Sequence, residues 1–166
     1  PEEQPAPSTQ SSARTIYQQA HFYRRAKTVL NDADADPGEK AMELVTLRRL
    51  WEESYTIAAH QLGKTYRDGL GSPVDREAAA EWFQKSAEAG NNCSAYALGK
   101  LLLEQGKFSQ ARSWLQKAAT QKNQYAQYRL GKLLLIGADD VPKDVDAAIR
   151  HLKDSAVQGK IGRAHV

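Results

Sequence analysis

Along most of the chain, hydrophobic residues recur at intervals of three or four with polar residues between them, which is the spacing of one face of an α-helix. Stretches that contain glycine and proline interrupt this pattern and divide it into separate helices. No alternating run of valine, isoleucine or threonine, which would be typical of a β-strand, occurs between them. The pattern therefore predicts an all-α fold.

The helical pattern is repetitive. The tripeptide Leu-Gly-Lys occurs three times with spacings of 36 and 32 residues, at 62–64, 98–100 and 130–132. After each copy come a turn and a second amphipathic stretch, at 81–87, 113–119 and 150–156. Two helices per repeat unit are therefore predicted.

The repeated glycines and the turns between helices have physical explanations. A glycine inside a helix costs about 1 kcal/mol relative to alanine, so its recurrence at Gly63, Gly99 and Gly131 predicts that another helix backbone passes close by. Asp75, Ser109 and Asp144 are placed to cap the second helices at their N-termini. Residue types that tolerate a left-handed turn are expected to end these helices, at Gly90, Asn123 and Gly159.

The residues from Ala58 to Gly90 read Ala-x3-Leu-Gly-x2-Tyr-x2-Gly-x-Gly, then Asp-x2-Ala-x3-Trp-Phe-x2-Ser-Ala-x2-Gly. This pattern resembles the Sel-one-like repeat (SLR), a relative of the tetratricopeptide repeat. The later units fit with small changes in turn length, so the resemblance covers about two thirds of the chain. It implies a right-handed α/α solenoid that serves as a protein-interaction scaffold.

The repeats organise the whole chain. We expect three SLR units at 57–92, 93–123 and 124–160, preceded at 13–56 by a degenerate helix pair that caps the stack. Residues 1–12 are rich in proline, glutamine and serine and are interpreted as a disordered linker. Residues 161–166 break the repeat pattern and are interpreted as a non-native tail.

Composition changes this picture little. The chain has 166 residues, 41% of them hydrophobic, and a net charge of only +3, which is too mild to indicate direct binding of nucleic acid. No stretch is apolar for long enough to span a membrane. The single cysteine, Cys93, excludes an internal disulfide and favours a reducing compartment such as the cytoplasm.

Sites for metals and for catalysis are not expected. Asp32, Asp34, Asp36 and Glu43 follow the spacing of a calcium loop, but Pro37 takes the position where that loop needs glycine. Asp36 is better interpreted as a helix N-cap. Cys93 is interpreted as a small packing residue rather than a nucleophile, and the chain lacks the paired cysteines of those SLR proteins that are linked to penicillin binding. We predict no catalytic residue, no metal, no cofactor and no small-molecule substrate.

The predicted binding surface lies on the first helix of each unit. Residues three before and one after each repeated glycine share a helix face, which places an aromatic ring beside a lysine in every unit. If these helices line the concave wall, as the resemblance implies, the rings and lysines form two columns in a groove. The predicted groove residues are His60, Lys64, Arg67, Tyr96, Lys100, Leu103, Tyr125, Tyr128, Lys132 and Leu135. The alternative is that Tyr96 and Tyr128 only stack between repeats while the lysines are solvated.

The resulting functional prediction is a non-enzymatic scaffold. Its concave groove would bind a segment of a partner protein, or another domain of its own chain, with no membrane partner. A second interpretation rests on residues 59–117, which are similar to SLR arrays in the C-terminal regions of plasmid-mobilisation relaxases. In that case the repeats would be an accessory to a DNA-processing enzyme whose catalytic residues lie elsewhere.

Overall fold

The structure, a computed structural model, describes residues 8–164, and the side chains of residues 12–159. Within this range it contains eight α-helices and one isolated β-bridge. The helices are α1 (Ser8–Asn31), α2 (Pro37–Glu52), α3 (Ile57–Asp68), α4 (Arg76–Glu88), α5 (Asn92–Glu104), α6 (Phe108–Thr120), α7 (Gln124–Ile136) and α8 (Val145–Ala164). The predicted all-α fold is confirmed.

Both ends of the chain differ from the expected boundaries. Helix α1 begins at Ser8, inside the segment interpreted as a linker, and residues 1–7 lie outside the described residues. Helix α8 was expected to end at Gly159 but continues to Ala164, so the helix includes most of the supposed tail. Residues 165–166 lie outside the described range.

The chain divides after Ala79 into two compact units. In unit 1, α2 packs against both α1 and α3. Its core is aliphatic and consists of Ala26, Leu30, Leu44, Leu47, Leu50, Ala58, Ala59 and Leu62. Glu43 is buried in this unit and is paired with Arg25, whose Nε lies 3.0 Å from Glu43 Oε1. A buried carboxylate with such a partner is a structural element of the α1–α2 pair.

Unit 2 contains the helices from α5 to α8, each packed against the next along the chain. One aliphatic cluster joins them, and its members include Ala95, Leu115, Ala118, Ala126, Leu130, Leu134 and Ala148. Because small alanines alternate with leucines in this cluster, neighbouring helices approach closely and their side chains interdigitate. The positions of the surface residues on α5 and α7 follow from this packing.

Several predicted caps are confirmed. Asp75 Oδ1 accepts a hydrogen bond from the backbone N–H of Ala78 at 3.0 Å, and Asp144 Oδ1 accepts one from Ala147 at 3.0 Å. Asp36 Oδ2 accepts from Gly38 N at 2.8 Å, with Pro37 at the start of α2. These carboxylates satisfy amides at helix N-termini that have no partner within the helix. Asp36, the last carboxylate of the acidic segment 32–36, is thus the N-cap of α2.

Two turn predictions are wrong. Ser109 does not cap α6; its backbone N–H instead donates to Asp140 Oδ2 at 3.0 Å, in the turn between α7 and α8. The left-handed residue after α6 is Lys122, with φ of 62°, and not Asn123. Asn123 is the N-cap of α7, where its Oδ1 accepts from Ala126 N at 3.0 Å. An asparagine serves either purpose, so residue type alone does not distinguish them.

The repeated glycines are needed for a different contact from the one expected. A Cβ atom added to Gly99 would lie 2.7 Å from Cγ and from Cδ2 of Leu115, on the second helix of the same pair. At Gly131 it would lie 2.7 Å from Cγ of Leu152. The backbone of the second helix is close as well, since the added Cβ at Gly131 would lie 3.2 Å from Ala148 O, but the tightest contact at both glycines is with a leucine side chain.

Candidate interaction surface

The side of α7 that faces away from the core carries a set of large exposed residues. Ala126, Leu130, Leu133 and Leu134 are buried on the other side of the helix. Tyr125 is 60% exposed, Tyr128 49%, Leu135 43% and Ile136 65%. Arg129 and Lys132 are exposed among them. We call these six residues, Tyr125, Tyr128, Arg129, Lys132, Leu135 and Ile136, the α7 surface.

The predicted pairs of lysine and aromatic ring are formed in unit 2. Lys132 Nζ lies 5.4 Å from the centroid of the Tyr128 ring, and Lys100 Nζ lies 5.9 Å from that of Tyr96. In both pairs the residues are four positions apart and therefore adjacent on the helix surface. The ring face attracts the ammonium group by a cation–π interaction, worth about 0.5–1 kcal/mol at an exposed site.

Tyr96 and Leu103 of α5 are less accessible than their counterparts one repeat later. The Tyr96 ring lies 5.8 Å from that of Tyr125, with the planes inclined at 35°. Both Tyr96 and Leu103 are partly buried and pack against the aliphatic cluster of unit 2. Tyr128 and Leu135 occupy the same repeat positions on α7, and both are exposed. Stacking between repeats therefore occurs at Tyr96, as the alternative interpretation has it, whereas no described repeat follows the α7–α8 pair to cover Tyr128 in the same way.

A groove of about 480 Å³ lies between the C-terminal ends of α5 and α7 and the start of α6. It is lined by Leu103, Phe108, Arg129, Lys132, Leu133, Ile136, Gly137, Ala138 and Asp139. We call it the α5–α7 groove. Of the predicted residues, Leu103 and Lys132 line it, while Tyr96, Lys100, Tyr125, Tyr128 and Leu135 do not.

Seven of the residues that line this groove were not predicted from the sequence: Phe108, Arg129, Leu133, Ile136, Gly137, Ala138 and Asp139. Arg129 and Ile136 lie four and eleven positions after Tyr125, on the same helical face, so extending the face by helical spacing would have found them. Phe108 gave no such signal, because it lies in the shortened turn of the middle repeat and reaches the groove only through packing.

The charges around the groove are mainly positive. Helices α5 and α7 together carry three cationic residues, Lys100, Arg129 and Lys132, against one carboxylate, Glu104. Neither Arg129 nor Lys132 forms an ion pair with a carboxylate of the described residues. Asp139, in the turn after α7, is the one acidic residue among the lining residues. The α7 side of the groove is therefore cationic.

The other three predicted residues lie on α3, in unit 1. His60, Lys64 and Arg67 are half-buried. Burial, together with the charges of Lys64, Arg67 and Lys27, lowers the pKa of His60 from 6.5 to about 4. Arg67 forms an ion pair with Asp68, Nε to Oδ1 at 2.8 Å. This hydrogen bond is the main reason that the pKa of Asp68 is lowered.

Metal-binding side chains and the single cysteine are the other features of the described residues that bear on function. No group of three or more His, Cys, Asp or Glu side chains that could hold a metal ion occurs among residues 12–159. The prediction that Cys93 is a packing residue is wrong: it lies in the first turn of α5, where its side chain is exposed and its Sγ lies 3.5 Å from Asn92 Oδ1.

None of the described helices is both long and apolar enough to cross a bilayer.

Comparison with protein families matches the chain to the Sel1 repeat at residues 56–91, 94–123 and 124–159, which together make up more than half of it. The matched segments include α3 to α7 and most of α8. No curated protein matches the chain.

Several solved structures are similar to this one, and two of them are described here. The first is the crystal structure of c5321, a protective antigen present in uropathogenic Escherichia coli strains that displays an SLR fold. Its sequence is 27% identical to this one, and the TM-score is 0.73. The match covers 90% of this chain and 32% of that one, so the chain spans about a third of its length. A Sel1 repeat protein from Oxalobacter formigenes is 22% identical over 87% of this chain and 70% of its own, with a TM-score of 0.63, which shows the fold alone. The resemblance to relaxase arrays stays a prediction.

Proposed function

Because the chain belongs to the Sel1 repeat family of all-α solenoids, whose members are generally protein-interaction scaffolds, we propose that it binds a segment of a partner protein on the α7 surface. The partner segment would extend along the α7 surface towards Lys100 and Leu103 of α5. For unit 1, the corresponding proposed contacts are His60, Lys64 and Arg67 of α3. The chain itself catalyses no reaction in this proposal.

One observation carries the proposal. Four large hydrophobic or aromatic residues lie together on α7, and each is at least 43% exposed. Aromatic and aliphatic side chains that lie together on a surface, with arginine among them, are typical of the centre of a protein interface. Exposed charges are each worth only about 0–1 kcal/mol, so affinity would come from the rings and aliphatic groups, while the cations orient the partner.

The partner class is protein, and the proposed compartment is the cytoplasm. The net charge of +3 and the presence of Glu104 on the same helix as Lys100 give little of the cationic excess that tracks a nucleic-acid backbone. The single cysteine fits a reducing compartment. Another domain of the same protein is an equally suitable partner on chemical grounds.

The proposal can be tested with peptides selected from a random display library on the wild-type chain. Fluorescence anisotropy then measures their affinity for Tyr128→Ala/Lys132→Glu. The matched control is Val157→Ala/Lys153→Glu on α8, which also removes one exposed apolar side chain and reverses one lysine four positions away. We expect at least about tenfold weaker binding for the α7 variant and unchanged binding for the control. Equal affinities for all three proteins, or no selected peptide at all, would contradict the proposal.

A further inference from the structure

The α5–α7 groove combines an apolar floor with cations on one wall, and the two properties come from different elements. Leu103, Phe108, Leu133 and Ile136 supply the apolar surface, from α5, α6 and α7. Arg129 and Lys132 line the groove from α7 alone. A ligand that fills it must therefore offer an apolar group to the floor and a group of suitable charge to the α7 wall.

The two cations are placed to act together. Arg129 and Lys132 are three positions apart on α7, so their side chains leave the same helix face within about 5–6 Å at Cβ. Both are exposed and neither pairs with a carboxylate of the described residues, so their donors are available to a ligand. A guanidinium next to an ammonium is a good arrangement for a carboxylate, which accepts two hydrogen bonds from the planar fork of the arginine.

Positive and negative side chains are unevenly distributed around the groove. Asp139 lines it from the turn after α7, opposite in sign to Arg129 and Lys132. Two cations against one carboxylate leave a net charge of +1 among the lining residues, concentrated on α7. Acidic groups of a ligand are therefore favoured along α7, where the Tyr128 and Tyr125 rings continue the surface, and disfavoured near Asp139.

From this arrangement we infer that the partner segment is acidic: it inserts one large apolar side chain into the α5–α7 groove and places flanking Asp or Glu carboxylates on Arg129 and Lys132. The inference rests on the proposed function, since it names the chemistry of the partner bound at the α7 surface. The apolar anchor supplies most of the affinity, because it removes the exposed apolar surface of the groove from water. The carboxylates select which segments bind and in which direction.

The test is an unbiased selection in which charge preference is the readout. A random peptide display library is panned separately on the wild-type chain, on Arg129→Glu/Lys132→Glu, and on the control Arg150→Glu/Lys153→Glu. The control pair lies on α8 with the same spacing of three residues and the same exposure, and it changes the net charge equally. Circular dichroism confirms that all three proteins keep their helix content.

We expect peptides selected on the wild type and on the control to carry an excess of Asp and Glu beside a Leu, Ile, Phe, Met or Trp anchor. Selection on Arg129→Glu/Lys132→Glu should favour Lys and Arg instead, and acidic peptides should bind this variant at least about tenfold more weakly. Ile136→Ser should weaken the binding of the same peptides without altering the preferred charge. Ile136 is 65% exposed and supplies apolar surface to the groove but no charge.

The outcomes separate this inference from the proposed function. Peptides that lose affinity on Tyr128→Ala/Lys132→Glu but show no acidic preference would overturn the acidic partner and leave the scaffold proposal standing. Selection of acidic peptides on Arg129→Glu/Lys132→Glu would also overturn the inference. Self-association detected by light scattering, abolished by Arg129→Glu/Lys132→Glu, would identify a second copy as the occupant and would equally contradict the inference.

Discussion

Gly99 shows how a single absent side chain fixes the spacing of a helix pair. Leu115 is fully buried and occupies the volume that a Cβ atom at position 99 would need. Glycine costs about 1 kcal/mol in helix propensity, but crowding in a well-packed core costs about 1–3 kcal/mol. The crowding is the larger effect, so glycine is the more stable choice at this position.

We therefore predict that Gly99→Ala lowers the free energy of unfolding by about 1 kcal/mol, even though alanine is the better helix former. Gly159→Ala is the matched control, because that glycine is also inside a helix and its nearest neighbour would be Gln124 Oε1, at 3.9 Å. The control should gain about 0.5–1 kcal/mol. Urea denaturation followed by circular dichroism measures both, and equal shifts of the two midpoints would refute the packing argument.

His60 makes the stability of unit 1 dependent on pH. Its pKa is lowered from 6.5 to about 4 by burial and by the neighbouring cations Lys64, Arg67 and Lys27. Since the folded pKa is lower than the unfolded one, the unfolded chain binds the proton first. The free energy of unfolding is therefore unaffected by His60 above about pH 6.5, and it falls as the pH decreases from 6.5 towards 4.

We expect His60→Gln to remove this part of the pH dependence. Because His60 is only half-buried, solvent screening reduces the effect, and a loss of about 1–2 kcal/mol between pH 7 and pH 4.5 is a reasonable expectation. The measurement is the urea midpoint of wild type and variant at both pH values. If the two proteins lose the same stability on acidification, His60 is not the group responsible.

At the scale of helices, the first residues of α6 show an interaction between neighbouring repeats. Its N-terminus has no side-chain cap of its own, and Asp140 supplies one from the turn between α7 and α8, 31 residues later. The carboxylate accepts from the Ser109 amide, and its charge also interacts favourably with the positive end of the helix dipole. The turn after α7 is thus fixed to the preceding repeat.

We predict that Asp140→Ala destabilises the chain by about 1 kcal/mol, within the usual range for loss of an N-cap. Asp139→Ala is the control, since it removes the adjacent exposed carboxylate with the same change in net charge. Asp140→Asn should retain most of the stability, because the amide oxygen still accepts a hydrogen bond. A thermal or urea midpoint that is unchanged in Asp140→Ala would contradict this account of the turn.

The sequence predicts local contacts in these elements better than distant ones. The caps at Asp75 and Asp144 and the lysine–tyrosine pairs of α5 and α7 depend on residues three or four positions apart, which helix geometry dictates. The cap from Asp140 joins residues far apart in the chain, and Phe108 at the start of α6 reaches a groove that is otherwise lined by α5, α7 and the turn after α7. Such contacts depend on how the helix pairs pack, and the helical period carries no information about them.

At the scale of the whole molecule, repetition of one helix pair places the same motif in different surroundings. In unit 2, the position that is covered on α5 at Tyr96 is open on α7 at Tyr128, although both helices carry the same Tyr-x3-Lys motif. The Tyr96 ring is covered by Tyr125 of the next repeat, whereas no described repeat follows the α7–α8 pair. The same motif is therefore covered or open according to whether another repeat packs beside it.

The central claim is that a partner segment binds on α7 and not on the second helices of the repeats, α4, α6 and α8. It is tested most directly by NMR of the ¹⁵N-labelled chain during titration with a selected peptide. The account predicts chemical-shift changes concentrated in α7 and in the second half of α5, around Lys100 and Leu103, with α6 and α8 largely unperturbed beyond Phe108. Changes concentrated instead on the second helices, at Trp82 of α4 and Trp114 of α6, or none at saturating peptide, would contradict it.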